Sequence, residues 1–373
     1  MPDDGPPPRV LHVIPSDVAA GAERVVRTLV ARLPEHGVDA DALYFLPRPD
    51  GESDPRFLGR PRQHDPRLLV DLRRRLRRWS RPTDGGAPVT SIVHTHLGWP
   101  LYFTRFAALS LDLVRVHTEH STGNVRRGRA LRGVERWAYG GVRELYCVSE
   151  AVLESARAWL GSAAPPLVVV WNGARAYRPV RRSAPGGRAR LVSVGSLAPH
   201  KGIDTALEAV ARARDAVEAY RIVGDGPERE RLETLARSLG IDDLVTFAGV
   251  ADDVEPHLHW AHGLLVPSRR EGFGLVAVEA LSTGLPVIAA DVPGLAGVVA
   301  GAGPAARLVP PDDAHAWADA ITALSRTTAT AYRALREPAE RHARRFSVDA
   351  MVAAYAERYR GLTRARRTGG RRG

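Results

Sequence analysis

The chain reads as an α/β protein built from two doubly wound parallel sheets. Short apolar runs of strand length alternate with segments of helical period in both halves. The 373 residues correspond to two domains at about 150 residues each. A polar stretch carrying Pro and Gly, Arg178–Arg190 (RPVRRSAPGGRAR), has no hydrophobic periodicity and is the expected linker.

Arg9–Ile14 is the first expected strand, and a loop from Pro15 to Gly21 follows it. In Glu23–Leu33, Val25, Val26, Leu29, Val30 and Leu33 recur at helical spacing. Val38–Phe45, Ser91–His94, Leu113–Val116, Leu145–Ser149 and Leu167–Val170 are the remaining strands of the first half. The second half opens with a strand at Leu191–Val194, and Thr205–Glu208 has the capping-box pattern that starts a helix. Arg221–Val223 ends at the turn Gly224–Pro227, and a helix bearing Leu232, Leu235, Ala236 and Leu239 stops at Gly240. Val245–Phe247, Leu264–Val266 and Val287–Ala290 complete the expected strands. Phe346–Leu362 is a helix with Val348, Val352, Tyr355, Tyr359 and Leu362 on one face. The expected organisation is therefore residues 1–180 as an N-terminal Rossmann-like domain and 188–345 as a second Rossmann-like domain. Residues 346–365 are a C-terminal helical segment, and 366–373 form a disordered basic tail. Ligands of such sheets sit beyond the strand C-termini, so two facing domains enclose a cleft there.

Composition narrows the function classes. Hydrophobic residues make up 44% and charged residues 25%, which is globular and not disordered. One cysteine, Cys147, excludes a disulfide framework and a Cys-rich metal module. No apolar run reaches transmembrane length and the acidic, Pro-rich start is no signal peptide, so a cytoplasmic protein is expected. The net charge is +11, carried by 53 basic residues of which only Lys201 is lysine. The arginines are read as solvated surface, with a basic face for anionic lipid or an acidic substrate as the alternative. Nucleic acid is disfavoured because the Arg clusters lack interleaved aromatics.

The chemistry concentrates in the second half. After the strand Leu264–Val266 come a loop, Pro267–Gly272, and a helix starting near Phe273. Gly272 and Gly274 flank Phe273 and let a ligand approach the backbone. The N–H groups of Gly274 and Leu275 then lie at the positive end of a helix dipole, a ready site for a diphosphate. Glu271 precedes the helix and Glu279 lies about a turn inside it. One carboxylate can face what hangs beyond the phosphates and the other a ribose diol; an N-terminal cap and a solvated helix residue are the plain readings of the same pair. Lys201 stands in Gly195-Ser196-Leu-Ala-Pro-His-Lys201-Gly202, between a strand and a helix, where its ammonium can meet a phosphate.

These motifs resemble those of retaining GT-B glycosyltransferases of family 4, also called glycosyl transferases group 1. Glu271 and Glu279, with seven residues between them, match that family's paired glutamates, and Lys201 its loop lysine. Gly21-Ala-Glu-Arg24, Asp225-Gly226-Pro227 and Phe346-Ser347 extend the resemblance over nearly the whole chain. It implies that residues 1–180 are the acceptor-side domain and 188–345 the nucleotide-sugar-binding domain, facing across a cleft, with the C-terminal helix, 346–365, crossing back to pack on the first. It implies that Glu271 binds donor-sugar hydroxyls, Glu279 the nucleotide ribose, and Lys201 the diphosphate, assisted by the amides of Gly274 and Leu275 around Phe273. Gly21 approaches the distal phosphate, and His120 the sugar near its anomeric carbon, with His117 as its rival. Catalytic roles thus fall on His120, Lys201 and Glu271. The implied reaction is retaining transfer from a nucleoside-diphosphate sugar to a hydroxyl of a cell-envelope, lipid-linked or natural-product acceptor. No cofactor or metal is expected, since positioned cations and a helix dipole stabilise the leaving group. An epimerase of the nucleotide sugar and a non-catalytic sugar-nucleotide-binding protein are the alternatives.

Two departures stand out. Ser196 replaces the family's usual Arg, so Arg270 or Arg269 is expected to supply the missing cation, and Ala20 precedes Gly21 where many members carry Gly-Gly. His94-Thr-His96 places two imidazoles on one strand face, but without an identifiable third ligand it reads as packing or acceptor contact. His257, His259 and His262 are expected to line a helix. Asp65–Trp79 is a basic amphipathic segment that lies either on the sheet or, peripherally, on an anionic membrane.

Overall fold

The computed structural model describes residues 6–18, 21–81, 90–122 and 132–369. The first five residues, Ala20 and the final 370–373 lie outside the described residues. The chain divides into two compact units, Met1–Gly173 with Val348–Gly373, and Ala174–Ser347. The stretch Arg178–Arg190 expected as a linker therefore lies inside the second unit. There the Arg182 guanidinium donates to the carbonyls of Thr283 and Leu258, which fastens a segment without hydrophobic periodicity.

In the first unit the order is β1 (Arg9–Ile14), α1 (Gly21–Arg32), β2 (Asp39–Tyr44), α2 (Leu68–Trp79), β3 (Ser91–His96), α3 (Gly98–Ala107), β4 (Val114–Glu119), α4 (Arg132–Tyr139), β5 (Glu144–Cys147), α5 (Glu150–Leu160) and β6 (Leu167–Val169). The six strands form one parallel sheet ordered β2-β1-β3-β4-β5-β6, so the winding reverses between β1 and β3. Strands buried on both faces need near-continuous apolar sequence, and β1 supplies it apart from Arg9 at its start and His12. On α2 the stripe Leu68, Leu72 and Leu76 is fully buried in a cluster with Leu11, Leu43, Phe45 and Val93. The apolar stripe of this basic helix thus belongs to the core, while its arginines and Val70 meet solvent.

The second unit runs β7 (Ala189–Val194), α6 (Ile203–Arg212), β8 (Val217–Val223), α7 (Arg229–Ser238), β9 (Val245–Gly249), α8 (Glu255–Trp260), β10 (Gly263–Val266), α9 (Leu275–Ser282), β11 (Val287–Ala290), α10 (Pro293–Val299), β12 (Ala306–Val309), α11 (Ala314–Ser325), α12 (Ala329–Ala334) and α13 (Arg336–Ala343). Its parallel sheet has the order β12-β11-β10-β7-β8-β9, with the reversal between β7 and β10. Thr205 does not cap α6. Gly202, at φ 65°, turns the chain into the helix three residues earlier, and the Thr205 hydroxyl donates to Asp312 instead. His257 and His259 lie on α8, but His262 is in the loop before β10, where it bonds the Arg190 backbone.

The last helix, α14 (Val348–Gly369), belongs to the first unit, burying Val352, Tyr355, Ala356, Tyr359 and Leu362. It runs beyond residue 366, where the disordered tail was expected to start. Arg366 is ion-paired with Asp112, and Arg and Ala favour the helix. Among the described residues no helix is long and apolar enough to cross a membrane.

Candidate functional site

The second unit gathers its polar residues where its winding reverses, the place where a doubly wound sheet opens a crevice beyond its strand ends. The loop after β7 carries Ser196 and Lys201, and the loop after β10 carries Ser268 to Gly274. The two loops interlock through glycine. A Cβ at Gly202 would lie 2.1 Å from the Pro267 carbonyl oxygen, and one at Gly294 would lie 2.1 Å from that of Glu271. The Arg269 N–H donates to the His200 carbonyl and closes the contact. Gly202→Ala combines that clash with a left-handed φ and is expected to cost about 1–3 kcal/mol in urea unfolding.

Within this frame Lys201 Nζ donates to Glu271 Oε1 at 2.6 Å, and Ser268 Oγ donates to the same oxygen at 3.0 Å. Both side chains are largely shielded, with 25% of Lys201 and 14% of Glu271 exposed, so the pair is only partly screened by water. The neighbouring His200 is pushed below its ordinary pKa by partial burial and then by the Lys201 ammonium. Gly274, at φ 85°, is the N-cap of α9; a Cβ there would meet Leu295 at 2.5 Å. Among the described residues no backbone acceptor takes the N–H of Gly274 or Leu275, which leaves both as donors at the helix's positive end. Glu279 sits one turn into α9 and is 1% exposed, which excludes the solvated-helix reading. Phe273 is buried, its ring 5.4 Å from and edge-on to Phe346, so its side chain packs the loop and its backbone alone can face a ligand.

The two arginines separate clearly. Arg269 is ion-paired with Asp204 at 3.0 Å and Asp312 at 2.7 Å and bonds the Pro199 carbonyl, so it holds the loops together. Arg270 is exposed and has no ion pair among the described residues. Ser196 is exposed and supplies only a hydroxyl.

Gly21 and His120 belong to the first unit. Gly21 is the exposed first residue of α1, whose first turn holds a buried Glu23 bonded by Ser16 at 3.2 Å; burial raises the Glu23 pKa. His120 follows β4, and its Nε2 lies 3.0 Å from His96 Nδ1. His117 points to the opposite face, bonding Thr95 at 2.9 Å, so strand alternation separates the two candidates. The parallel register sets His12 beside His94. Sequence reasoning missed His12: it looks like a single polar break in β1, and only the β1–β3 pairing reveals its company.

His12, His94 and His96 have the residue types to hold a metal ion. Their geometry is that of a packed hydrogen-bonded cluster. The rings of His94 and His96 lie 4.1 Å apart at 31°, and both nitrogens of His94 are engaged, by Tyr359 at 2.6 Å and Thr118 at 2.7 Å. One nitrogen from each of the three rings lies within 4.8 Å of the others, so to ligate a metal His94 would have to give up a hydroxyl partner and His96 a histidine partner.

Two family models match the chain: "Glycosyltransferase Family 4" over residues 19–176 and "Glycosyl transferases group 1" over residues 188–327. A D-inositol 3-phosphate glycosyltransferase from Saccharomonospora viridis is 36% identical over 202 residues, covering 50% of this chain and 46% of that protein. The chain spans less than half the length of the curated relatives it matches in this way. Among solved structures, sucrose-phosphate synthase from Thermosynechococcus elongatus superposes with a TM-score of 0.81 at 24% identity, over 96% of this chain and 100% of that one. Anabaena Alr3699/HepE in complex with UDP-glucose gives 0.73 at 18% identity, over 94% and 98%. With one model on each unit and the same architecture in its structural relatives, the chain belongs to the family 4, group 1 glycosyltransferases of the GT-B fold.

Proposed function

We propose that the protein is a retaining, metal-independent glycosyltransferase that moves a sugar from a nucleoside diphosphate to an acceptor hydroxyl. The observation that carries this reading is the Lys201–Glu271 pair, 2.6 Å apart at the β7/β10 reversal and in the loops that lead into α6 and α9. The ammonium and the Gly274 and Leu275 amides hold the diphosphate, Glu271 accepts from sugar hydroxyls, and Glu279 binds the ribose diol. His120 contacts the sugar near its anomeric carbon, and Gly21 the distal phosphate. In the reaction the bond from the anomeric carbon to the β-phosphate oxygen breaks, and a bond to the acceptor oxygen forms on the same face. The acceptor's proton passes to the departing phosphate, whose charge Lys201 offsets. UDP is the first donor nucleotide to test, because the HepE structures contain UDP, UDP with glucose, and UDP-glucose. The exposed arginines of α2, Arg74, Arg77 and Arg78, give an acceptor-side unit that attracts anionic surfaces by charge alone.

Incubation with UDP-, GDP- and dTDP-sugars, with and without EDTA, tests the reading. Slow donor hydrolysis or transfer, unaffected by EDTA and with retained anomeric configuration, is expected. Isomerised donor identifies an epimerase, and binding without turnover a non-catalytic protein; either overturns the proposal.

Arg270 stands in for the cation absent at Ser196. Arg270→Ala is expected to weaken UDP binding about 5- to 10-fold with little change in melting temperature, the loss of one charge-assisted contact. Arg269→Ala is expected to lower the melting temperature, because it breaks two ion pairs. Calorimetric titration beside thermal melting separates them, and unchanged UDP affinity in Arg270→Ala counts against this assignment.

A further inference from the structure

Three imidazoles of the first unit are joined in series. His12 Nδ1 lies 3.0 Å from His96 Nε2, and His96 Nδ1 lies 3.0 Å from His120 Nε2. They come from β1, from β3 and from the residue after β4, at the reversal of the first sheet. His12 and His96 are completely buried, and burial depresses all three pKa values, His12 to about 3 and His120 to about 4. The rings are therefore neutral at pH 7, each with one N–H and one lone pair. His94 stays outside the series and wedges it: its ring packs 5.0 Å from His12 and 4.1 Å from His96 while Tyr359 and Thr118 hold its nitrogens.

One N–H per ring forces both contacts to run in the same direction. If they run toward His12, its Nε2 carries a proton; if toward His120, that Nε2 is a bare lone pair. His12 Nε2 is buried with no hydrogen-bond partner among the described residues. An orphaned buried N–H is the rarer and costlier defect than an unused acceptor. The contacts therefore run outward: His12 Nδ1–H donates to His96, and His96 Nδ1–H donates to His120 Nε2.

From this geometry we infer that His12 and His96 are positioning residues that lock His120 in the tautomer protonated on Nδ1. His120 then acts on substrate as an N–H donor, and its Nε2 is already occupied and cannot serve as a base. What His120 donates to rests on the glycosyltransferase reading, where the acceptor is an oxygen of the donor sugar; the tautomer does not.

Histidine-labelled ¹⁵N spectra of the full chain at pH 7.5 read the tautomer directly, with His120→Asn used to assign the signal. The expected wild-type spectrum shows His120 protonated on Nδ1 with an unprotonated Nε2. His96→Leu is expected to release His120 into a tautomer mixture and to reduce kcat for donor turnover about 10- to 100-fold, as for other partners that orient an active imidazole. His96→Asn places an amide N–H where Nδ1 was, and is expected to restore both the single tautomer and most of kcat. A wild-type His120 protonated on Nε2, or a tautomer unchanged in His96→Leu, overturns the inference, as do signals of His12, His94 and His96 that shift together on addition of stoichiometric zinc. Should His96→Leu fail to fold, the wild-type spectrum still decides. A locked Nδ1–H tautomer without turnover of any donor leaves this inference standing and removes the function proposed above.

Discussion

Lys201→Ala is expected to reduce sugar transfer about 100- to 1,000-fold, the scale on which removing one preorganised donor to a developing anion acts. The loss has two parts. The ammonium proposed to meet the diphosphate disappears, and Glu271, which accepted from it at 2.6 Å, loses its lysine partner and leaves a negative charge beside the proposed anion site. The pair carries no net charge; the variant site carries −1. Glu271→Gln reverses the balance to +1, so it is expected to tighten UDP binding while transfer falls, because a carboxylate acceptor for sugar hydroxyls is lost. Opposite shifts of UDP affinity in the two variants, by titration calorimetry, mark an anion site. A purely structural ion pair would instead lower stability in both and leave UDP affinity unmoved.

Acidification from pH 7 to pH 5 is expected to destabilise the first unit severely. His12, His117 and His120 have folded pKa values of about 3, 3 and 4 because burial disfavours the imidazolium, and His94 and His96 are lowered well below the ordinary value for the same reason. A depressed folded pKa means that the unfolded chain binds the extra proton. Stability is therefore fully present above about pH 6.5 and falls as the pH drops toward 4. One such ring costs about 2 kcal/mol between pH 7 and pH 5, so two already consume a large part of a typical domain's stability. Carboxylates act at lower pH: Arg56 and Arg67 hold Asp54 and Asp65 at about 2. Urea unfolding at pH 7 and pH 5, with hydrogen exchange to assign the unit that opens, checks this. An unchanged midpoint would mean that the histidines are not buried as neutral rings.

Strands β1 to β11 are legible in the sequence because each contains a short apolar run, buried along most of the central strands, and α1, α7 and α14 because apolar residues recur there with a 3.6-residue period; α3, α4, α5 and α10 are not among the elements expected from the sequence. The short β12, Ala306–Val309, lacks such a run because Arg307 interrupts it. Thr205 misleads because a local cap pattern was outweighed by the tertiary fit of Gly202 against Pro267. The sequence marks the loops carrying Lys201 and Glu271 as ligand loops, but the meeting of the two side chains shows only in the strand order, which places the loops after β7 and β10 side by side. His12 was not readable, because its partners His94 and His96 lie more than 80 residues away and only the parallel register brings them together. Arg269 and Arg270 are adjacent in sequence and indistinguishable there; Asp204 and Asp312, remote along the chain, are what separate them.

A crystal structure with UDP bound tests the account at its centre. The β-phosphate is predicted within hydrogen-bond distance of Lys201 Nζ and of the Gly274 and Leu275 amides, with the ribose hydroxyls on Glu279. A diphosphate lodged elsewhere, with the Lys201–Glu271 pair undisturbed and Glu279 away from the ribose, would contradict it.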